Sequence, residues 1–177
     1  MSSLVKLDEA SVSNVGSVTL TGITSAFNVA VVYYSNVVPA TDGADLQFRF
    51  TQSGTENSNS NYQILISYPR SDRSFINNGG DNLGLAGRDR VNLTGSISNV
   101  STTGGMGQIY ITSAADSAEI TYANIETAYV SSGSTKVLLG QVAGAVLKET
   151  TAVDGIKLFF DSGNITSGDF VMYAIKE

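Results

Sequence analysis

Leu46-Gln47-Phe48-Arg49-Phe50-Thr51-Gln52 alternates apolar and polar residues without a break. At a two-residue period Leu46, Phe48 and Phe50 fall on one face and Gln47, Arg49 and Thr51 on the other, the pattern of a half-buried strand. Working outward, the preceding run from Asn28 to Val38 is rich in Val and Tyr and nearly continuous in apolarity, which predicts a strand covered on both faces. Pro39 to Asp45 ends it with the residues that set turn dihedrals. Beyond the opening stretch comes a polar loop over 53–61, then Tyr62–Tyr68 as a strand that stops at Pro69.

The same reading continues to both ends. It predicts strands over 17–23, 91–97, 106–112 and 118–130, two short pieces at 136–142 and 145–148, and a closing pair at 156–161 and 169–176. Residues 70–90 hold no predicted element and read as a long surface excursion. The best helical window, 113–128, lacks a sustained 3.6-residue stripe. The expectation is all-β: a single antiparallel β-sandwich domain over 1–177, jelly-roll-like, with about ten strands.

Composition narrows the chemistry. The 177 residues contain no histidine and no cysteine. That removes disulfides, thiolate metal sites, the Ser-His-Asp triad and nearly all zinc or copper sites. A net charge of −6, from 16 acids against 10 bases, argues against a nucleic-acid partner. Ser, Thr, Asn and Gly supply 70 of the 177 residues, an uncharged polar exterior. No run of 18 apolar residues is present, which argues against a membrane partner, and Met1–Glu9 lacks the apolar core of a signal peptide. The expected place of synthesis is a cytoplasm.

The remaining chemical devices are few. Asp42 with Asp45, and Asp161 with Asp169, flank turns and are the acids open to two-carboxylate hydrolysis, but neither pair sits in a glycosidase motif. Asp42, Asp45 and the Asn77–Asn82 cluster offer hard oxygen ligands without a calcium-loop spacing. Ser134-Thr135-Lys136 has the wrong spacing for a Ser-x-x-Lys pair, and Thr103–Gly107 is a glycine-rich loop without the P-loop lysine. Three Asn-x-Ser/Thr triplets, at Asn92, Asn99 and Asn164, are the number expected by chance in so polar a chain. The expectation is therefore no catalytic residue, no cofactor and no metal.

Binding residues stand out more. Four of the five arginines, Arg70, Arg73, Arg88 and Arg90, lie in 70–90 interleaved with Asp72, Asp81 and Asp89, a mixed-sign pattern that suits subunit salt bridges or a solvated loop. Tyr33, Tyr34, Tyr62, Tyr68, Tyr110, Tyr122 and Tyr129 are spread over the strands and suit a core, a subunit interface or a sugar-stacking platform. Arg70, Arg73, Arg88, Arg90, Tyr33 and Tyr34 are the candidate subunit contacts.

Two segments carry a resemblance. Asn28 to Gly54 holds a long strand, a proline turn and the Leu46–Arg49 strand before a polar loop. Ile156 to Lys176 holds two strands joined by a Gly-Asn turn and ends Tyr173-Ala174-Ile175-Lys176. Together they resemble the virion structural proteins of tailed, often marine, phages. The resemblance implies a β-sandwich on the outside of a phage particle, as capsid decoration, tail or fibre. It also implies partnership with other virion proteins and a homo-oligomer, with a trimer favoured. It carries no catalytic motif. The function so read is a non-enzymatic virion surface protein acting in particle assembly, stability or host attachment. The alternatives are a carbohydrate-binding module meeting a host-surface glycan and, behind it, a two-carboxylate polysaccharide hydrolase.

Overall fold

A computed structural model describes residues 3–27, 29–72 and 82–176. Every regular element among them is a strand, thirteen in all. They are β1 (Ser3–Val15), β2 (Ser17–Thr21), β3 (Val29–Pro39), β4 (Leu46–Gln52), β5 (Thr55–Glu56), β6 (Tyr62–Ser67), β7 (Asn82–Arg88), β8 (Val91–Asn92), β9 (Gly105–Thr112), β10 (Thr121–Val130), β11 (Leu138–Leu147), β12 (Gly155–Phe160) and β13 (Ile165–Lys176). An eight-stranded sheet runs β1-β13-β3-β9-β10-β11-β6-β7. A smaller sheet runs β2-β12-β4-β5, with β8 also on β4. All pairings are antiparallel.

The alternating strands build one core between the sheets. Leu46, Phe48 and Phe50 of β4 are fully buried, beside Leu20 of β2 and Ile156 and Leu158 of β12. They share one cluster with Val32, Ile109, Ile125, Tyr62, Phe170 and Met172 of the larger sheet. Burying a Leu or Phe side chain removes apolar surface worth about 2–3 kcal/mol each, so this stripe dominates the stability.

The smaller sheet covers only part of the larger one. The chain after β8 covers much of the rest: Leu93, Thr94 and Ile97 are fully buried. It is pinned by Thr127 Oγ1 donating to the Leu93 carbonyl at 2.9 Å and by the Gly95 amide donating to Tyr129 Oη at 2.9 Å. The sequence predicts a strand over 91–97, but only Val91 and Asn92 pair with β4. The rest turns across the core, because Thr94 Oγ1 accepts the Leu46 amide at 2.8 Å.

Other differences have local reasons. The sequence predicts no strand over β1, because its register shifts between Lys6 and Asp8, which breaks the alternation, and because it is an edge strand with a polar outer side. β7 lies in the 70–90 excursion, where Leu83 and Leu85 alone, with Gly84 between them and Gly87 beyond, make too short an alternation to predict a strand. The two pieces at 136–142 and 145–148 are one strand, β11, running unbroken through Gly140 and Gly144. The 113–128 window is not helical: β10 begins at Thr121. Arg73 and the Asn77–Asp81 run lie outside the described residues.

Candidate interaction face

The carboxylates are committed to the fold. Asp42 accepts from the Asn99 amide at 3.1 Å and the Gly133 amide at 3.4 Å, the Asn99 bond foremost in holding its carboxyl below the usual range. Asp45 accepts from the Ser96 amide at 2.6 Å and from Asn92 Nδ2 at 3.2 Å, and burial pushes it up. Asp161 does not pair with Asp169. It accepts the Asp45 amide, while Asp169 accepts Ser11 Oγ at 2.7 Å. These bonds staple turns and strand ends. Among the described residues no three acids gather as a metal site.

The outer face of the smaller sheet is a charge-saturated surface. Arg49 Nη1 meets Glu56 at 3.0 Å, and Nη2 meets Asp89 at 2.7 Å. Its Nε donates to the Asp89 carbonyl at 2.9 Å, and the guanidinium lies 5.1 Å from the centre of the Phe159 ring. Lys157 closes the set on Glu56 at 3.0 Å. Burial acts to raise Glu56 and Asp89. The hydrogen bond from Lys157 on Glu56, and that from Arg49 on both, outweigh it, so both carboxyls sit below their ordinary range.

The outer face of the larger sheet is the opposite over β10, β11 and β6. Alternation turns Thr121, Ala123, Ile125, Thr127 and Tyr129 of β10 inward and leaves Tyr122, Asn124 and Glu126 outside. On β11 it leaves Leu138 and Val142 outside, and on β6 Leu65, which is 70% exposed. Tyr33, Met106 and Tyr110 continue the exposed apolar surface onto β3 and β9. Cross-strand register places Tyr122 beside Val146, Asn124 beside Gly144, and Leu65 between Gly144 and Gly84. Over this half of the sheet lies an open groove of about 670 Å³, walled by Leu65, Tyr122 and Val146 with Gly144 among its lining residues.

The candidate contacts divide accordingly. Tyr33 is on this face, in edge contact with Tyr173 at 6.3 Å. Tyr34 is 2% exposed and packs in the core against Phe170, which takes it out of any surface contact. Tyr62 and Tyr129 are also core residues, and Tyr110 and Tyr122 are exposed. Arg70 chelates Asp72 through Nε and Nη2, and Arg90 meets Asp89 at 3.1 Å. Arg88 is exposed at the end of β7, on the edge of the large sheet. Sequence reasoning missed Leu65, Leu138, Val142 and Gly144. The available signal was apolarity on both parities of β6 and β11, unusual for an antiparallel strand with one wet face.

No family model, no curated protein and no solved structure matches this chain.

Proposed function

We propose that the chain is a non-enzymatic jelly-roll subunit on the surface of a bacteriophage particle, a homo-oligomer made in the host cytoplasm and acting in particle assembly, stability or host attachment. One observation carries the reading: one outer face is closed by paired charges, whereas the other exposes large apolar side chains on five of its strands, from Tyr33 of β3 to Leu65 of β6. Exposed apolar patches mark interaction sites.

The strand pairing supports the jelly-roll reading. Eight strands pair as a ribbon doubled on itself: β1 with β13, β2 with β12, β3 with β9, and β4 with β8. The ribbon wraps so that β13 also meets β3 and β12 also meets β4. The segments carrying β5–β7 and β10–β11 are insertions into this ribbon, and β10, β11, β6 and β7 widen the large sheet. Jelly rolls serve in viral capsids, lectins and cupins, and a chain without histidine lacks the usual metal ligands of the last group.

A second reading, a glycan-binding module, is favoured by the exposed rings of Tyr33, Tyr110 and Tyr122. Immunogold labelling of purified particles, together with a glycan array, tests the pair. Labelled particles and a blank array support the virion reading. An unlabelled particle with a sugar-positive array overturns it in favour of the second.

A further inference from the structure

The geometry points to a two-fold contact between two copies of this chain, made by the β10-β11-β6-β7 half of the large sheet, with Leu65 of each copy seated over Gly144 of the other. The inference rests on the assembly reading and names its interface.

Gly144 is the first ground. It sits mid-strand in β11 with no left-handed backbone angle to require glycine. A Cβ added there would meet no atom of its own chain within 4 Å. A glycine in a strand interior costs about 0.5–1 kcal/mol relative to alanine, and it marks a bulge, a bend or the close approach of something else. The β10–β11 register is continuous through this position, which rules out a bulge.

Leu65 is the second ground. It is the most exposed large apolar side chain described, and it is the register partner of Gly144. Its Cδ2 lies 3.6 Å from where a Cβ of Gly84 would stand, so it leans over that glycine and leaves the hollow at Gly144 open. A knob beside a hollow on one surface is self-complementary. An axis parallel to the strands, running between β11 and β6, lays each Leu65 on the partner's Gly144.

Charge selects the same occupant. The chain carries −6 overall, yet β6, β7, β10 and β11 hold only two ionic side chains, Glu126 and Arg88. The register sets Glu126 level with Asn82, at the end of β7 away from Arg88. The proposed axis carries the partner's β10 over β7, three strands away. The two Glu126 carboxylates then stand roughly 14 Å apart, at about 4.8 Å per strand, beyond the screening length of about 8 Å at physiological salt. Four strands about 19 Å wide and some 27 Å long bury roughly 1,000 Å² over both copies, the lower bound of a specific interface. The expected pair is therefore concentration-dependent and insensitive to salt. It is compatible with a three-fold built on another surface, since dihedral assemblies combine both axes.

Sedimentation equilibrium of the full chain tests this, with circular dichroism to confirm folding. Leu65→Asp and Gly144→Leu should each weaken the pair about thirtyfold or more, the size of an interface hot spot. The swap Leu65→Ala/Gly144→Leu should recover most of the affinity, because the knob then comes from the other strand. Since the chain has no cysteine, mixing Leu65→Cys with Gly144→Cys and a short bis-maleimide should yield a covalent heterodimer, and Thr19→Cys, on the opposite sheet, should not. An oligomer unaffected by these variants overturns this interface and leaves the assembly reading standing. A monomer that never cross-links overturns the interface, while particle labelling decides the assembly reading separately.

Discussion

The Asp45 amide donates to Asp161 Oδ1 at 2.9 Å, and the Asp161 amide donates back to the Asp45 carbonyl at 3.0 Å. This reciprocal clasp joins the start of β4 to the end of β12, 116 residues apart. Asp161 thereby holds the chain at this corner through both its carboxylate and its amide. Asp161→Ala removes the acceptor and should cost about 1–2 kcal/mol, whereas Asp161→Asn keeps it and should cost under about 0.5 kcal/mol. Urea denaturation distinguishes the two. Equal losses would show that charge, not acceptance, is what the site needs.

Tyr62 ties the two sheets together. Its hydroxyl accepts the Phe50 amide of β4 at 3.0 Å and donates to the Asn57 carbonyl at 3.1 Å, while its ring stacks on Phe50. Tyr62→Phe leaves that amide and carbonyl buried without partners and should cost about 1–3 kcal/mol. Tyr34 provides the contrast: its buried hydroxyl has no hydrogen-bond partner. Tyr34→Phe should therefore be neutral or stabilising. Thermal melts that rank the two variants the other way would refute this assignment.

These contrasts also show what was legible in the sequence. β4 is read at its exact bounds because Leu46, Phe48 and Phe50 all face the core while Arg49, between them, is only part-buried. β6 and β9 follow the same logic. β11 is read as two pieces because Gly144 looks like a break when only local preference is weighed, although ladders on both sides hold it in register. The ribbon pairing of β1–β4 with β8, β9, β12 and β13 joins distant parts of the chain, from Phe48 with Val91 to Ser3 with Lys176, and no local pattern encodes it. The open face is half legible: its tyrosines stand out in the sequence, but Tyr34 is told from Tyr33 only by the pleat, which buries one and exposes the other.

Acid should loosen the charge-saturated face. Glu56 and Asp89 have folded values below their ordinary 4.5 and 3.8. A carboxylate of that kind contributes stability that is complete above its ordinary value and is lost as pH falls through the lower folded one. Asp45, raised above 3.8, acts in the opposite sense: its contribution is full below 3.8 and is lost as pH rises through its folded value. With three lowered groups, Asp42 among them, against one raised, unfolding free energy should fall as pH drops below about 4.5. Arg49→Met should flatten that limb, because both Glu56 and Asp89 lose their cation. A wild-type curve that is level from pH 5 to pH 3 would contradict the pairing.

Two strand glycines, one in each sheet, should behave in opposite ways. A Cβ at Gly155 would press into the Leu20 carbonyl and stand 2.8 Å from Thr51 Oγ1 and 3.2 Å from Thr21 Cα, all inside the β2-β12-β4 ladder. Backbone on one side and a paired strand on the other leave nothing that can yield, so Gly155→Ala should cost more than about 3 kcal/mol or prevent folding. At Gly144 a Cβ meets nothing within 4 Å, and the strand would gain the entropy that glycine forfeits. Gly144→Ala should thus raise monomer stability by about 0.4–1 kcal/mol. Denaturant melts at dilutions where the chain is monomeric read the two directly. A Gly144→Ala variant that is less stable there would mean the glycine serves the isolated fold, and its link to an interface would be lost.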